Sequence, residues 1–224
     1  MAPSNVIIEF VEQPTESLTE ECVAVFSSVM GADPCSIALT GGDLSLIPSL
    51  GRTIARSIAL CPGVGHLYIA RDDTGDLIGF TLFTLPGQLM GSTKEQHEAG
   101  KINEYLATLS PEGQAYFAEA MAKDVPKAND EMIGIKDTER ETYWCNMAMV
   151  RKDYQGKGVA KAMFQLAFKE AAKTGATMAL TTTNIVNVPI YEKIGFKYHG
   201  EKTMPSPWLD WKMWFFSRDT QSEK

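Results

Sequence analysis

The stretch Val150-Arg151-Lys152-Asp153-Tyr154-Gln155-Gly156-Lys157-Gly158-Val159-Ala160 decides how this chain is read. It joins an apolar run, residues 143–150, directly to a segment with helical periodicity. In that segment Met163, Phe164, Ala167, Phe168 and Ala171 share one face, while Lys161, Gln165, Lys169 and Lys173 point outward. A strand followed at once by a helix over 159–173 is expected, with small residues at the junction. Gly156, Gly158 and Ala160 let the backbone turn tightly and keep its N–H groups free. A helix start already carries unpaired donors and the positive end of the peptide dipoles, so the junction suits an anion such as a pyrophosphate. Two common phosphate loops do not fit. Counting Gly-x-Gly-x-x-Gly from Gly156 puts Lys161 at the third glycine, where a long side chain obstructs close helix–strand contact. The pattern Gly-x-x-x-x-Gly-Lys-Ser/Thr does not occur.

Working outward, the C-terminal part alternates regularly. Strands are expected at 143–150, 178–183, 196–199 and 208–216, with a short helix at 188–194. Toward the N-terminus, residues 5–12 read as a strand broken by Pro14. Residues 15–30 read as a helix stopped by Gly31, residues 31–45 as a loop, and 47–60 as a second helix. Residues 66–71 and 77–85 flank Asp72-Asp73-Thr74-Gly75-Asp76, a hairpin turn. From Gln88 to Arg140 the chain is more polar and helical. One short helix centres on Tyr105, and a second starts at Ser110-Pro111 and ends at Pro126. The pattern predicts an α+β fold, one domain over 1–224, with a mixed sheet, flanking helices and a helical insertion at about 88–140.

Bulk composition narrows the function classes. The chain has 224 residues, of which 44% are hydrophobic and 22% charged, and a net charge of -7. That acidity argues against a general nucleic-acid binder, which needs a basic face. No apolar run approaches the ~20 residues of a membrane span, and residues 1–10 lack a signal-peptide pattern. A cytoplasmic protein is expected. Cys22, Cys35, Cys61 and Cys145 have no zinc spacing and no histidine companions, and His66, His97 and His199 lie in unrelated segments, so no metal site is expected.

Gln155-x-x-Gly158-x-Ala160 fits the Q/R-x-x-G-x-G/A signature, and Asn184-Ile185-Val186-Asn187-Val188-Pro189-Ile190-Tyr191-Glu192-Lys193-Ile194-Gly195-Phe196-Lys197 follows it after one helix and one strand. The pair resembles the two hallmarks of the GCN5-related N-acetyltransferase (GNAT) superfamily over residues 143–197. Residues 1–142 match it only in element order. The resemblance implies a mostly antiparallel sheet whose fourth and fifth strands splay apart, with acetyl-CoA as cosubstrate lying in the opening. It further implies that backbone groups of Met149 and Val150 pair with the pantetheine arm. An N–H near Ala148 or Met149 would polarise the thioester carbonyl. Backbone N–H groups of Gln155, Gly156, Lys157, Gly158, Val159 and Ala160 would hold the pyrophosphate. Asn184 would contact pantetheine, and Tyr191 would protonate the leaving thiolate.

The amine must lose a proton before it attacks, which calls for a base or a water chain. Some family members carry a glutamate thirteen residues before the Gln/Arg position. Here that position is Thr142, and its neighbour Glu141 is the candidate base, ahead of Cys145. The leading expectation is acetyl transfer to a primary amine of a small molecule in a ternary complex. A protein N-terminal or lysine acetyltransferase is one alternative, and a non-catalytic acyl-CoA sensor, which would not need Tyr191, is another. The 88–140 insertion reads as decoration, as a wall over the acceptor site, or as the surface of a homodimer.

Overall fold

The computed structural model describes residues 3 and 5–221. Seven strands form one sheet in the order β1-β2-β3-β4-β5-β7-β6. They are β1 (Ile7–Val11), β2 (Gly65–Arg71), β3 (Leu77–Thr84), β4 (Tyr143–Val150), β5 (Met178–Thr182), β6 (Lys197–Met204) and β7 (Trp211–Arg218). Neighbours pair antiparallel except β4 and β5, which run parallel. That exception follows from the connection, because the helix after β4 carries the chain back to start β5 beside it.

Two layers of helix cover the sheet. On one face lie α9 (Val159–Thr174) and α10 (Val188–Ile194), which bury Met163, Phe164, Ala167 and Tyr191 against Phe83, Tyr143, Cys145, Leu180 and Phe216. The opposite face carries α1 (Glu16–Met30), α2 (Pro34–Leu39) and α3 (Ile47–Ala59). The insertion follows with α4 (Lys94–Gly100), α5 (Ile102–Thr108), α6 (Pro111–Glu119), α7 (Val125–Ile133) and α8 (Thr138–Glu141). Phe26, Leu50, Leu67, Phe80, Leu82 and Met147 form one core cluster on this face; Ala38, Ala128, Trp144, Ala179, Met213 and Phe215 form a second. Each large side chain so buried contributes roughly 1.5–3 kcal/mol.

Local chemistry sets the ends. Thr15 caps α1 through Leu18 N–H at 3.2 Å, and α9 stops where Gly175 turns left-handed and Ala176 N–H bonds Ala171 O at 3.0 Å. Three expectations are corrected. Residues 31–45 contain a helix, because Asp33 caps and Pro34 opens α2. Pro126 does not end a helix. Residues Ala120–Asp124 widen into a π turn in which Val125 N–H bonds Ala120 O. That extra residue relieves the clash of the proline ring with the carbonyl four back, and α7 continues to Gly134. The last two strands pair as a longer hairpin, Lys197–Met204 with Trp211–Arg218, and Trp208 falls in their connection.

The close approach of Gly65 gives a stability prediction. A Cβ there would sit 2.1 Å from Phe83 O and 2.4 Å from Ile58 Cγ2. Gly65→Ala is expected to cost about 1–3 kcal/mol through overpacking, read as a fall in melting temperature of roughly 2–4 °C per kcal/mol for a chain this size. An unchanged melting curve would contradict this register.

Candidate active site

The parallel pairing of β4 and β5 covers Tyr143↔Met178, Trp144↔Ala179 and Cys145↔Leu180, then stops. β4 runs on to Val150 and β5 to Thr182, so the two strands part and leave a gap. Asn146 is an extra residue in β4: Phe83 pairs with Cys145 and Leu82 with Met147. This bulge changes which backbone groups face the gap. Tyr143 N–H bonds Thr177 O at 2.9 Å, on the β5 side, whereas Arg151 N–H bonds Ile78 O at 2.8 Å, on the β3 side. Counting back by strand alternation, Met149 and Met147 address β3, while Ala148 and Val150 turn their N–H and C=O groups to the gap. Without the extra residue the parity would be reversed. Val150 O is met there by Gln155 Nε2 at 3.0 Å. Of the two expected positions for a carbonyl-polarising N–H, the backbone offers Ala148, and Met149 has its groups turned to β3.

The gap has two unlike faces. On the α9 side, Tyr191 is 7% exposed, with its ring against Phe164, Phe196 and Phe216. Burial, and then the nearby Cys145, hold its phenol above the ordinary tyrosine value, so it stays protonated at neutral pH. Cys145 is buried too, its thiol pushed up by desolvation and donating to Met147 O at 3.3 Å. A cysteine in that state is a poor base or nucleophile. On the opposite side, Thr183 Oγ1 donates to Asp33 Oδ2 at 2.7 Å.

Beyond β4 the chain makes a 3-10 turn, Lys152–Tyr154, and enters α9 through Gly156 (φ 73°) and Gly158 (φ 78°). Both φ values are left-handed, which glycine adopts without strain. Ala162 N–H bonds Gly158 O at 3.1 Å, so the N–H groups of Val159, Ala160 and Lys161 precede the helical ladder, and no side chain caps them. A Cβ on Gly156 would meet nothing within 4 Å, which marks open space outside the loop. Tyr154 braces the loop. Its OH donates to Asp72 Oδ2 at 3.0 Å, and Arg151 and Lys157 lie 5.3 and 4.9 Å from its ring centre. Asp72 is itself fixed by Thr74 Oγ1 and Asp76 N–H, so the β2–β3 turn supports the loop. The donors fit an anion, and the lysines add positive charge.

A family model described as an acetyltransferase (GNAT) domain matches residues 93–210, just over half of the chain. The chain belongs to the GNAT acetyltransferases. No curated protein sequence matches it. Among solved structures, arylalkylamine N-acetyltransferase 2 from Aedes aegypti superposes with a TM-score of 0.60 at 15% identity, covering 97% of this chain and 100% of that one. A protein described as a histone acetyltransferase and related acetyltransferase, from Corynebacterium glutamicum, gives 0.60 at 17% identity, with 96% of each chain covered. An agmatine N-acetyltransferase gives 0.57 at 9%, covering 96% of this chain and 100% of that one. At such identities the likeness is one of fold.

In this GNAT chain Ala148 and Val150 turn to the gap, the loop 155–160 follows the end of β4, and Tyr191 lies near Cys145 on the α9 side. Asn184 lies just past the end of β5, where its Oδ1 accepts from Val186 N–H at 3.0 Å and caps a 3-10 turn, Ile185–Asn187. Glu141 is not brought there. It is exposed at the end of α8, before β4 begins. At ~3.3 Å per residue, strand β4 puts on the order of 20 Å between it and Ala148. Glu139, raised to about 7 by burial and held by Asn129 Nδ2 at 2.7 Å, lies at that same distant end. Sequence reasoning missed Asp33 and the bulge at Asn146. An Asp-Pro pair is a helix-start signal, but nothing in sequence places it against β5. Among the described residues no helix is long and apolar enough to cross a membrane, and no cluster of metal-ligating side chains occurs.

Proposed function

We propose that the chain transfers an acetyl group from acetyl-CoA to a primary amine of a small molecule, by direct attack with both substrates bound. The observation that carries this reading is the opening between β4 and β5, lined by Ala148 and Val150 main chain and continuous with the glycine loop. Acetyl-CoA supplies a thioester carbonyl and a thiolate leaving group. Ala148 N–H is placed to polarise that carbonyl, as an oxyanion donor does. Val150 offers its N–H and C=O to the pantetheine amides in the manner of an added strand, once Gln155 Nε2 releases Val150 O. The N–H groups of Gly156 to Ala160 receive the pyrophosphate, whereas that of Gln155 is held by Lys152 O at 3.3 Å. Tyr191, protonated and buried beside the gap, donates to the departing sulfur. Ile185, Val186 and Ile190, all exposed beside Asn184, offer apolar contact along the arm.

A small acceptor is favoured by how the opposite face is walled. Trp208, in the β6–β7 connection, packs against Gly41 and Gly42 and meets the Tyr116 ring at 5.6 Å. Trp211 Nε1 donates to Tyr116 OH at 2.8 Å. Tyr105 OH donates to Leu39 O at 2.8 Å. The insertion thus packs against α2 and the β6–β7 hairpin, which supports its reading as a wall over the acceptor site. An extended peptide would need this side open. The structural likeness to arylalkylamine and agmatine N-acetyltransferases agrees with an amine acceptor.

The test is thiol release from acetyl-CoA with phenethylamine, tryptamine, agmatine and a lysine-containing peptide. Turnover with a free amine, at kcat/KM at least tenfold above the peptide, is expected. Turnover with the peptide alone would replace this reading with a protein acetyltransferase. Tight acetyl-CoA binding without turnover on any acceptor would leave an acyl-CoA sensor.

A further inference from the structure

We propose that Asp33 is the group that receives the acceptor: its carboxylate holds the incoming ammonium at the gap and takes its proton. This rests on the acetyl-transfer reading above and fills the role for which Glu141 lies too far away.

Position is the first argument. Counted in rungs on β3, where Phe83 pairs with Cys145 and Thr81 with Ala148, Ala148 lies two rungs past Cys145↔Leu180, level with Thr182 and next to Thr183. Asp33 Oδ2 accepts from Thr183 Oγ1 at 2.7 Å, so the carboxylate stands within one residue's rise, ~3.3 Å, of the level of the N–H that addresses the carbonyl. Facing is the second. Met178 and Leu180 pack on the α9 side and Ala179 on the α2 side, so strand alternation turns Thr183 to α2, opposite Tyr191. Thr182 turns the other way, to Asn187 Nδ2 at 3.0 Å. The acid for the leaving sulfur and the base for the entering nitrogen then flank the opening from opposite faces. Each group is then positioned beside the atom whose proton it handles.

The surroundings suit the task. Asp33 is half-buried, and burial pushes its carboxyl above the usual value, although Thr183 and the N–H groups of Cys35 and Ser36 pull it down. Cys35 is the titratable side chain that senses Asp33; its thiol is pushed well up by burial and by that charge. Tyr105 and Tyr116 face Cys35 from α5 and α6, and burial raises both. All three stay neutral at assay pH; the other carboxylate that acts on this cluster, Asp124, reaches it through Tyr116. In the step itself, one ammonium proton passes to Asp33 and the freed nitrogen pair forms the C–N bond. As the C–S bond breaks, the sulfur takes a proton from Tyr191; the nitrogen gives up its second proton through solvent to restore the phenol, and Asp33 releases its own proton to water.

The competing explanation is that Asp33 only caps α2 and ties it to β5. Asp33→Asn separates the two, because asparagine still caps α2 by accepting from Cys35 N–H at Oδ1, while its Nδ2 donates to Thr183 Oγ1 in place of the bond that Oδ2 accepts. With the best amine of the panel, Asp33→Asn is expected to lose about 10²-fold in kcat/KM and the acid limb of its pH–rate profile. Its melting temperature and calorimetric acetyl-CoA affinity should match those of the parent chain. Thr183→Val, which removes a donor that lowers the carboxyl, should move that limb to higher pH. If Asp33→Asn keeps kcat/KM within about threefold, or neither variant alters the pH profile, the assignment is overturned while acetyl transfer stands. If the parent chain binds acetyl-CoA but acetylates no amine, the functional reading falls, and this assignment with it.

Discussion

Tyr191→Phe is expected to lower kcat for amine acetylation by about 10²-fold or more while leaving acetyl-CoA affinity within about twofold. The substitution removes one oxygen and nothing else. The phenylalanine ring keeps the edge contacts with Phe164 and Phe196, at 5.7 and 6.0 Å, and the tilted contact with Phe216 at 5.3 Å. Packing, and with it the shape of the gap, is therefore preserved. Because the tyrosine value is raised, the phenol is fully protonated through the neutral range, and its own titration does not produce an alkaline limb there. Steady-state rates and calorimetry on the same preparation check this. Equal turnover in the two proteins would remove Tyr191 as the proton donor.

Gly158→Trp is expected to weaken acetyl-CoA binding by about 10²-fold or more, for two separable reasons. Residue 158 holds φ at 78°, where a residue with a Cβ carries roughly 1–2 kcal/mol of strain. The indole would also stand at the start of α9, over the N–H groups of Val159 and Ala160. The loop lies at the surface, so the fold should survive with a modest drop in melting temperature. Calorimetric titration with acetyl-CoA and with desulfo-CoA reads the effect. Unchanged affinity for both would show that the phosphates bind elsewhere.

What sequence could and could not tell divides along physical lines. β4, α9 and α10 follow from periodicity and glycine punctuation, because the apolar spacing and end signals that set each of them lie within that element's own residues. The glycine loop was legible for the same reason. The Asn146 bulge was not, since an added residue in a strand leaves the apolar pattern of Tyr143, Cys145 and Met147 looking regular. Its effect, exposing Ala148 in place of Met149, depends on pairing with β3. Asp33 was overlooked because its partner Thr183 is 150 residues away. The count of thirteen residues before Gln155 falls on Thr142, with Glu141 its neighbour, and the intervening strand converts that distance along the chain into separation in space. The π turn before Pro126 belongs to the same class: a proline reads as a stop until an extra residue lets the helix pass it.

The three-rung seam between β4 and β5 has a mechanical corollary. Backbone bonding makes the molecule two half-sheets, four strands and three, hinged along an edge where few peptide groups cross. Their mutual angle is set by side chains such as Phe164 against Phe196 and Phe168 under Arg218, which join α9, packed over β1–β4, to the other half, a softer constraint than a full ladder. Small repacking beneath α9 would therefore tilt one half against the other and change the width of the opening without touching any residue that lines it.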